Sequence, residues 1–171
     1  MPEDTVISAR RKRQIEAIIL IILLILSLVG ISINDFAPAD GFGYWVMMVF
    51  VFAFFSIILG WIQSKQSGEN FMTVLREQAL HWFFSLLVVG GASIVLKPEN
   101  DSGLIILLIL SLATVLDGLR VGWRFSVVGI FLGVSAVIPI YTQHFFWVEL
   151  MIVATIITLT IIRSFWLRRS N

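Results

Sequence analysis

The sequence predicts an all-α fold: a polytopic transmembrane helix bundle of six spans, with both termini on the cytoplasmic side. Three observations predict it. Of 171 residues, 58% are hydrophobic and only 13% are charged, whereas a soluble domain is about a quarter charged. So apolar a chain cannot present the polar exterior that a small water-soluble domain needs. Several apolar runs approach or exceed the roughly 18 residues that cross a bilayer as a helix. Finally, in a six-span layout Arg10, Arg11, Lys12, Arg13, Lys65, Arg76, Arg120, Arg124, Arg163, Arg168 and Arg169 all fall on one side, and only Lys97 on the other. That bias puts the shared side in the cytoplasm.

The first span is expected over 16–33, rich in Ile and Leu, behind the basic run Arg10 to Arg13. This start resembles a secretory signal in its charge and apolarity, and Ala37, Pro38 and Ala39 supply an A-x-A pattern. The apolar stretch exceeds the roughly 7–15 residues of a signal, so a retained anchor helix is expected, facing lipid or a partner. The second span covers 43–62, after an outer loop from Asn34 to Phe42 holding Asp35, Pro38, Asp40 and Gly41. The third covers 80–96. Before it, the segment 70–79 has Phe71, Val74, Leu75 and Ala79 at helical spacing. Asn70 is placed to cap it. It either lies in the inner interface or simply begins the third span.

The run from Gly103 to Ile140 must reverse, because as one helix it would be about 55 Å long against a hydrocarbon core of about 30 Å. Asp117, Gly118 and Gly122 are the turn-capable residues near its middle. The expected spans are 103–120 and 123–140, with Arg120 and Arg124 at the boundary, their stems along lipid and their heads in water. The sixth span covers 145–165. Trp45, Trp61, Trp82, Trp123, Trp147 and Trp166 lie near span ends, as expected of a ring that favours the headgroup level.

Asp117 is the sharpest candidate for chemistry, since ionised groups are costly within a membrane. Its expected structural role is an ion pair with Arg120 or Arg124 that pins the hairpin. The functional alternative is a proton or cation site, with Ser111 and Thr114 near the same helix face. Glu149 is expected near the outer surface, facing His144 or Tyr141, where a carboxylate–histidine pair is either a solvated cap or a proton relay. His81 and His144 fall on opposite sides, so they cannot share a metal. There is no cysteine, no H-E-x-x-H, no P-loop and no dinucleotide fingerprint. "GVSAV" (Gly133 to Val137) lacks the G-x-S-G of rhomboid proteases, and the sixth span lacks their histidine. No cofactor or metal is expected, and no nucleic acid.

Small residues carry the packing signal. Ser126, Gly129, Gly133 and Ala136 line the fifth span, and Gly90 and Gly91 lie in the third. Such residues let helices approach closely in lipid, so the third, fifth and sixth spans are expected to form the packed centre. The expected function is that of a non-catalytic accessory, assembly or regulatory subunit of a bacterial inner membrane. Its partners would be the lipid bilayer, other membrane subunits or further copies of itself. The alternatives are a small transporter or channel using Asp117, with Glu149 as a further candidate, and a lipid-processing enzyme using His81, Asp117 and the arginines at the inner interface.

Overall fold

The computed structural model describes residues 3–68, 70–95, 102–142 and 145–169. These form six α-helices: α1 (Glu3–Phe36), α2 (Pro38–Ser67), α3 (Phe71–Val95), α4 (Ser102–Val121), α5 (Trp123–Val137) and α6 (Phe146–Arg169). A 3-10 turn, Ile138–Ile140, extends α5. Among the described residues there is no strand. Four helices have segments long and apolar enough to cross a membrane: Lys12–Phe36, Pro38–Lys65, Phe71–Val95 and Ser102–Val121. Trp123–Val137 and Phe146–Ile162 are shorter apolar helices. The chain thus has the character of a multi-pass integral membrane protein.

The outer loop expected from Asn34 to Phe42 is almost entirely helical. One residue, Ala37, links α1 to α2. Pro38 begins α2, where its fixed φ suits the first helical turn and its missing N–H goes unused. Asn34 reaches across the corner against Gly41 and Gly103, whose added Cβ would lie 3.2 Å from Asn34 Oδ1. Polar loop formers are thereby absorbed into a tight helix–helix corner.

The reversal in the long apolar run falls at Gly122, with φ +147° between α4 and α5, a conformation that L side chains rarely adopt. Its N–H donates to Gly118 O at 2.9 Å, and Phe125 N–H donates to Gly122 O at 2.9 Å. The hairpin seam is close. A Cβ at Gly129 would lie 2.6 Å from Val115 N, and one at Gly133 would lie 2.7 Å from Ser111 Oγ. Ser111 donates to Gly129 O at 2.8 Å, and Ser126 to Val115 O at 3.3 Å. Ala136 is buried.

The core differs from the expected centre. It is built by α1, α2, α4 and α5: Leu23, Leu24 and Ile31 meet Trp45, Val49, Phe52, Ile106, Leu107, Leu110, Val128 and Leu132, all buried. Phe52 and Phe125 touch with ring centroids 5.9 Å apart. α1 is therefore a core helix rather than a purely lipid-facing one. An Ile/Leu surface fits a groove as readily as it fits lipid, so composition alone did not orient it. α3 is peripheral, with Gln78, Trp82 and Val89 as its buried residues. Gly90 and Gly91 have nothing within 4 Å of an added Cβ, so the helix contact expected there is not made among the described residues. α3 also runs unbroken from Phe71, with Asn70 Oδ1 accepting from Met72 N–H at 3.1 Å. The segment 70–79 is the first part of that helix.

The contacts define two ends of the bundle. At one end sit the α1–α2 corner, the start of α4 beside Gly41, and the start of α6, where Phe146 packs on Phe36 at 5.9 Å. At the other end the α4–α5 turn meets Lys12 and Glu16 of α1, Gln63 of α2 and Glu77 of α3. Successive helices alternate between these ends. Trp61, Trp123 and Trp147 are exposed, whereas Trp45 and Trp82 are buried. Gly30 makes room for Trp45: a Cβ there would lie 2.6 Å from its ring. Trp166 lies outside the described side chains.

Candidate functional site

Asp117 sits one turn before the end of α4 and is 0% exposed. Its neighbours come from two other helices. Ser56 of α2 and Gln78 and His81 of α3 lie around the carboxyl. Helical periodicity explains the set: Gln78 and His81 are three apart and share the inward face of α3. Gly60, one turn beyond Ser56, leaves space for Gln78, whose Cγ would lie 3.5 Å from an added Cβ.

Two of these neighbours have their donors committed elsewhere. Ser56 donates to Gln78 Oε1 at 2.8 Å. His81 Nε2 donates to Ala113 O at 3.1 Å, one turn of α4 from Asp117. Thr114 donates back to Leu110 O at 2.7 Å. Among the described residues, neither Asp117 oxygen has a hydrogen-bond donor in bonding geometry. A polar cage surrounds the carboxyl without closing on it.

The expected ion pair with Arg120 or Arg124 is not formed. Arg120 Nη2 bonds Glu77 Oε2 at 2.6 Å. Arg124 Nη1 bonds Glu16 Oε2 at 2.7 Å and Arg13 O at 3.1 Å. The reason is direction. Both arginines leave the turn toward the bundle's end surface, where Glu16 and Glu77 wait, while Asp117 points into the α2–α3–α4 interface. Ser111 does not join the cage either, since its hydroxyl stitches α4 to α5.

Glu149 makes a second buried carboxylate, at the opposite end of the bundle. It is 0% exposed, which corrects the expected solvated cap. The pairing with Tyr141 also fails, because Tyr141 is exposed. Instead Ser135 donates to Glu149 Oε2 at 2.8 Å, tying α6 to α5. Glu149 Oε1 has no partner among the described residues. His144 lies outside the described residues.

The end surface carries a third feature. A cleft of about 200 Å³ opens beneath the α4–α5 turn, lined by charged residues including Lys12, Glu16, Arg120 and Arg124, and by apolar residues including Leu20, Leu59 and Phe125. Neither Asp117 nor His81 lines it. The inner-interface groove that would join those two residues for an enzyme is therefore not this cleft.

Sequence reasoning missed Ser56, Gln78, Ser135, Glu16 and Glu77. Gln78 had a readable signal, a polar residue three positions before His81, but its neighbours Arg76 and Glu77 marked that turn as solvated. Ser56 and Ser135 were invisible as singles, because a lone serine in an apolar helix usually bonds its own backbone. Among the described residues, no group of three His, Asp or Glu side chains is placed to hold a metal ion. Compared with protein-family models, curated proteins and solved structures, the chain matches none.

Proposed function

We propose that the chain is a small transporter that moves protons or a small monovalent cation, with Asp117 as the intramembrane binding group. In this reading all six helices cross the bilayer, and both termini face the cytoplasm of a bacterial inner membrane. The observation that carries the proposal is Asp117 itself. It is fully buried and has no ion pair among the described residues, while both nearby arginines bond other carboxylates. A bare ionised carboxylate at such a place is costly. A bound proton or cation removes that cost, and the oxygens of Ser56 and Gln78 are the kind of ligand that a small cation takes. Glu149, buried at the other end, supplies a second such group.

The six-span part is supported by length and alternation. α5 is about 22 Å long, and the 3-10 turn adds about 6 Å, which together nearly match a hydrocarbon core of about 30 Å. Lys12, Arg120 and Arg124 share one end of the bundle, as cytoplasmic residues should.

The test is flux in liposomes. Purified protein is reconstituted with a lumenal pH dye, and a pH gradient is imposed under a potassium-clamped voltage. A parallel arm follows sodium uptake. Wild type should dissipate one of the two gradients, and Asp117→Asn should not, at unchanged thermal stability. No flux of either ion above empty liposomes sinks the proposal.

A second reading keeps the accessory subunit that works by helix packing. It is favoured by the outer face of α3, where Phe83, Phe84, Leu87 and Val88 are exposed beside the open Gly90 and Gly91. The chain has no cysteine, so Gly91→Cys gives a clean probe. An oxidative cross-link in native membranes, to a second copy or to another membrane protein, supports this reading. A monomeric product at every oxidant level removes it.

A further inference from the structure

The cleft under the α4–α5 turn joins two kinds of surface. Its lining divides into a charged rim and an apolar wall. Lys12, Arg120 and Arg124 stand against Glu16. Even after counting Glu77, which pairs with Arg120, one positive charge remains in excess. The wall consists of Ile19, Leu20, Leu59, Val121, Phe125 and Val128. The pairs hold the cations in place without exhausting them. Arg120 gives one N–H to Glu77, and a guanidinium carries five donors in a fork that matches phosphate.

We propose that this cleft binds the headgroup of an anionic phospholipid, with its phosphate between Lys12 and Arg120 and its acyl chains on the outside of the bundle. Size limits the occupant. About 200 Å³ is below the roughly 300–1,000 Å³ that encloses a whole drug-sized ligand. The cleft therefore takes a headgroup, while the tail continues over the outside of the bundle. Position agrees. Trp123 on the rim is 57% exposed and stacks on Arg124 at 5.7 Å. Trp61 on the same end carries Lys65 at 4.1 Å. Exposed Trp beside cations is what the headgroup level selects, and basic residues there attract anionic lipid. The headgroup-level position rests on the six-span reading, whereas the lining chemistry does not.

The experiment uses the full chain in a neutral detergent, with native mass spectrometry as the readout. Equal amounts of phosphatidylglycerol and phosphatidylcholine compete for wild-type protein, which needs no variant. Phosphatidylglycerol should be retained at least fivefold over phosphatidylcholine. The pair Lys12→Gln with Arg120→Gln should lower phosphatidylglycerol retention, by about fivefold per cation removed. Lys65→Gln removes the same kind of charge outside the cleft and should leave retention unchanged. Thermal unfolding with inorganic phosphate separates the two sources: phosphatidylglycerol should raise the melting temperature and inorganic phosphate should not. Equal retention of the two lipids, an unaffected double variant, or an equal rise with inorganic phosphate overturns the assignment. None of these outcomes depends on flux through Asp117, so this proposal and the transport reading fail separately.

Discussion

At the scale of single residues, the decisive fact is where hydrogen bonds go. Asp117 is surrounded by polar groups that bond one another or the backbone, and Gln78 accepts from Ser56. Replacing Gln78 with Leu strands the Ser56 hydroxyl and removes an amide from beside a buried carboxylate. The expected cost is about 1–3 kcal/mol, read as a lower melting temperature in detergent with an unchanged oligomeric state. Breaking the Arg120–Glu77 pair should matter far less, because both side chains are substantially exposed. Such pairs are worth about 0–1 kcal/mol, so Glu77→Gln should leave the melting temperature within about two degrees. Glycines divide just as sharply. Gly129→Ala forces a Cβ to within 2.6 Å of backbone in α4, and overpacking of this kind costs about 1–3 kcal/mol. Gly91→Ala meets open space and should stabilise the isolated chain by up to about 1 kcal/mol through helix propensity. The two were alike in sequence as small residues in apolar helices. Only the neighbour's distance tells a seam from an outer face.

At the scale of elements, the α4–α5 hairpin was the most legible part of the chain. Helix length against bilayer thickness demanded a reversal, and the turn lies at Gly122 with φ +147°. Gly122→Ala should cost about 1–3 kcal/mol from backbone strain alone. A melting curve that does not move would mean that the turn relaxes to another conformation. The α1–α2 corner was less legible. Asn34, Asp35, Pro38, Asp40 and Gly41 have loop composition, yet all five are helical, because Pro38 suits a helix start and Asp40 suits its first turn. The α3 helix shows a related limit. Its start at Asn70 was readable as a cap, but the burial of Gln78 was not, because Arg76 and Glu77 next to it are exposed.

At the scale of the whole molecule, six helices alternate between two ends, and each end holds a buried carboxylate. The proposed six-span topology with cytoplasmic termini predicts a labelling pattern. Lys65→Cys and Arg76→Cys should react with a membrane-impermeant maleimide only from the cytoplasmic side. Ala37→Cys and Tyr141→Cys should react only from the other side. A residue of the first pair labelling with the second would overturn six crossings, and with them the placement of the cleft at the inner leaflet. It would leave the geometry around Asp117 untouched. The exposed apolar residues are too many for a particle in water: Phe50, Phe54, Phe83, Phe84, Leu119 and Met151 are among them. In lipid they need no cover, so exposure of this kind identifies the solvent, and only the open Gly90 and Gly91 beside Phe83 and Phe84 single out the α3 face for a partner.

The sequence by itself determined the solvent, the helical class and the hairpin turn. These follow from hydropathy, from run length against membrane thickness, and from the few residues that tolerate a reversal. It also marked Asp117 and Glu149 as costly residues. Only the tertiary structure decided their partners. Ser56, Gln78 and His81 reach Asp117 from helices up to 61 positions away in the chain, and the arginines three and seven positions away turn aside to Glu77 and Glu16. The physical reason is that proximity along a helix sets which groups can meet, whereas the direction of each side chain is set by the neighbouring helices. In a chain whose apolar surfaces are nearly interchangeable, that choice is made by shape at the packed interface.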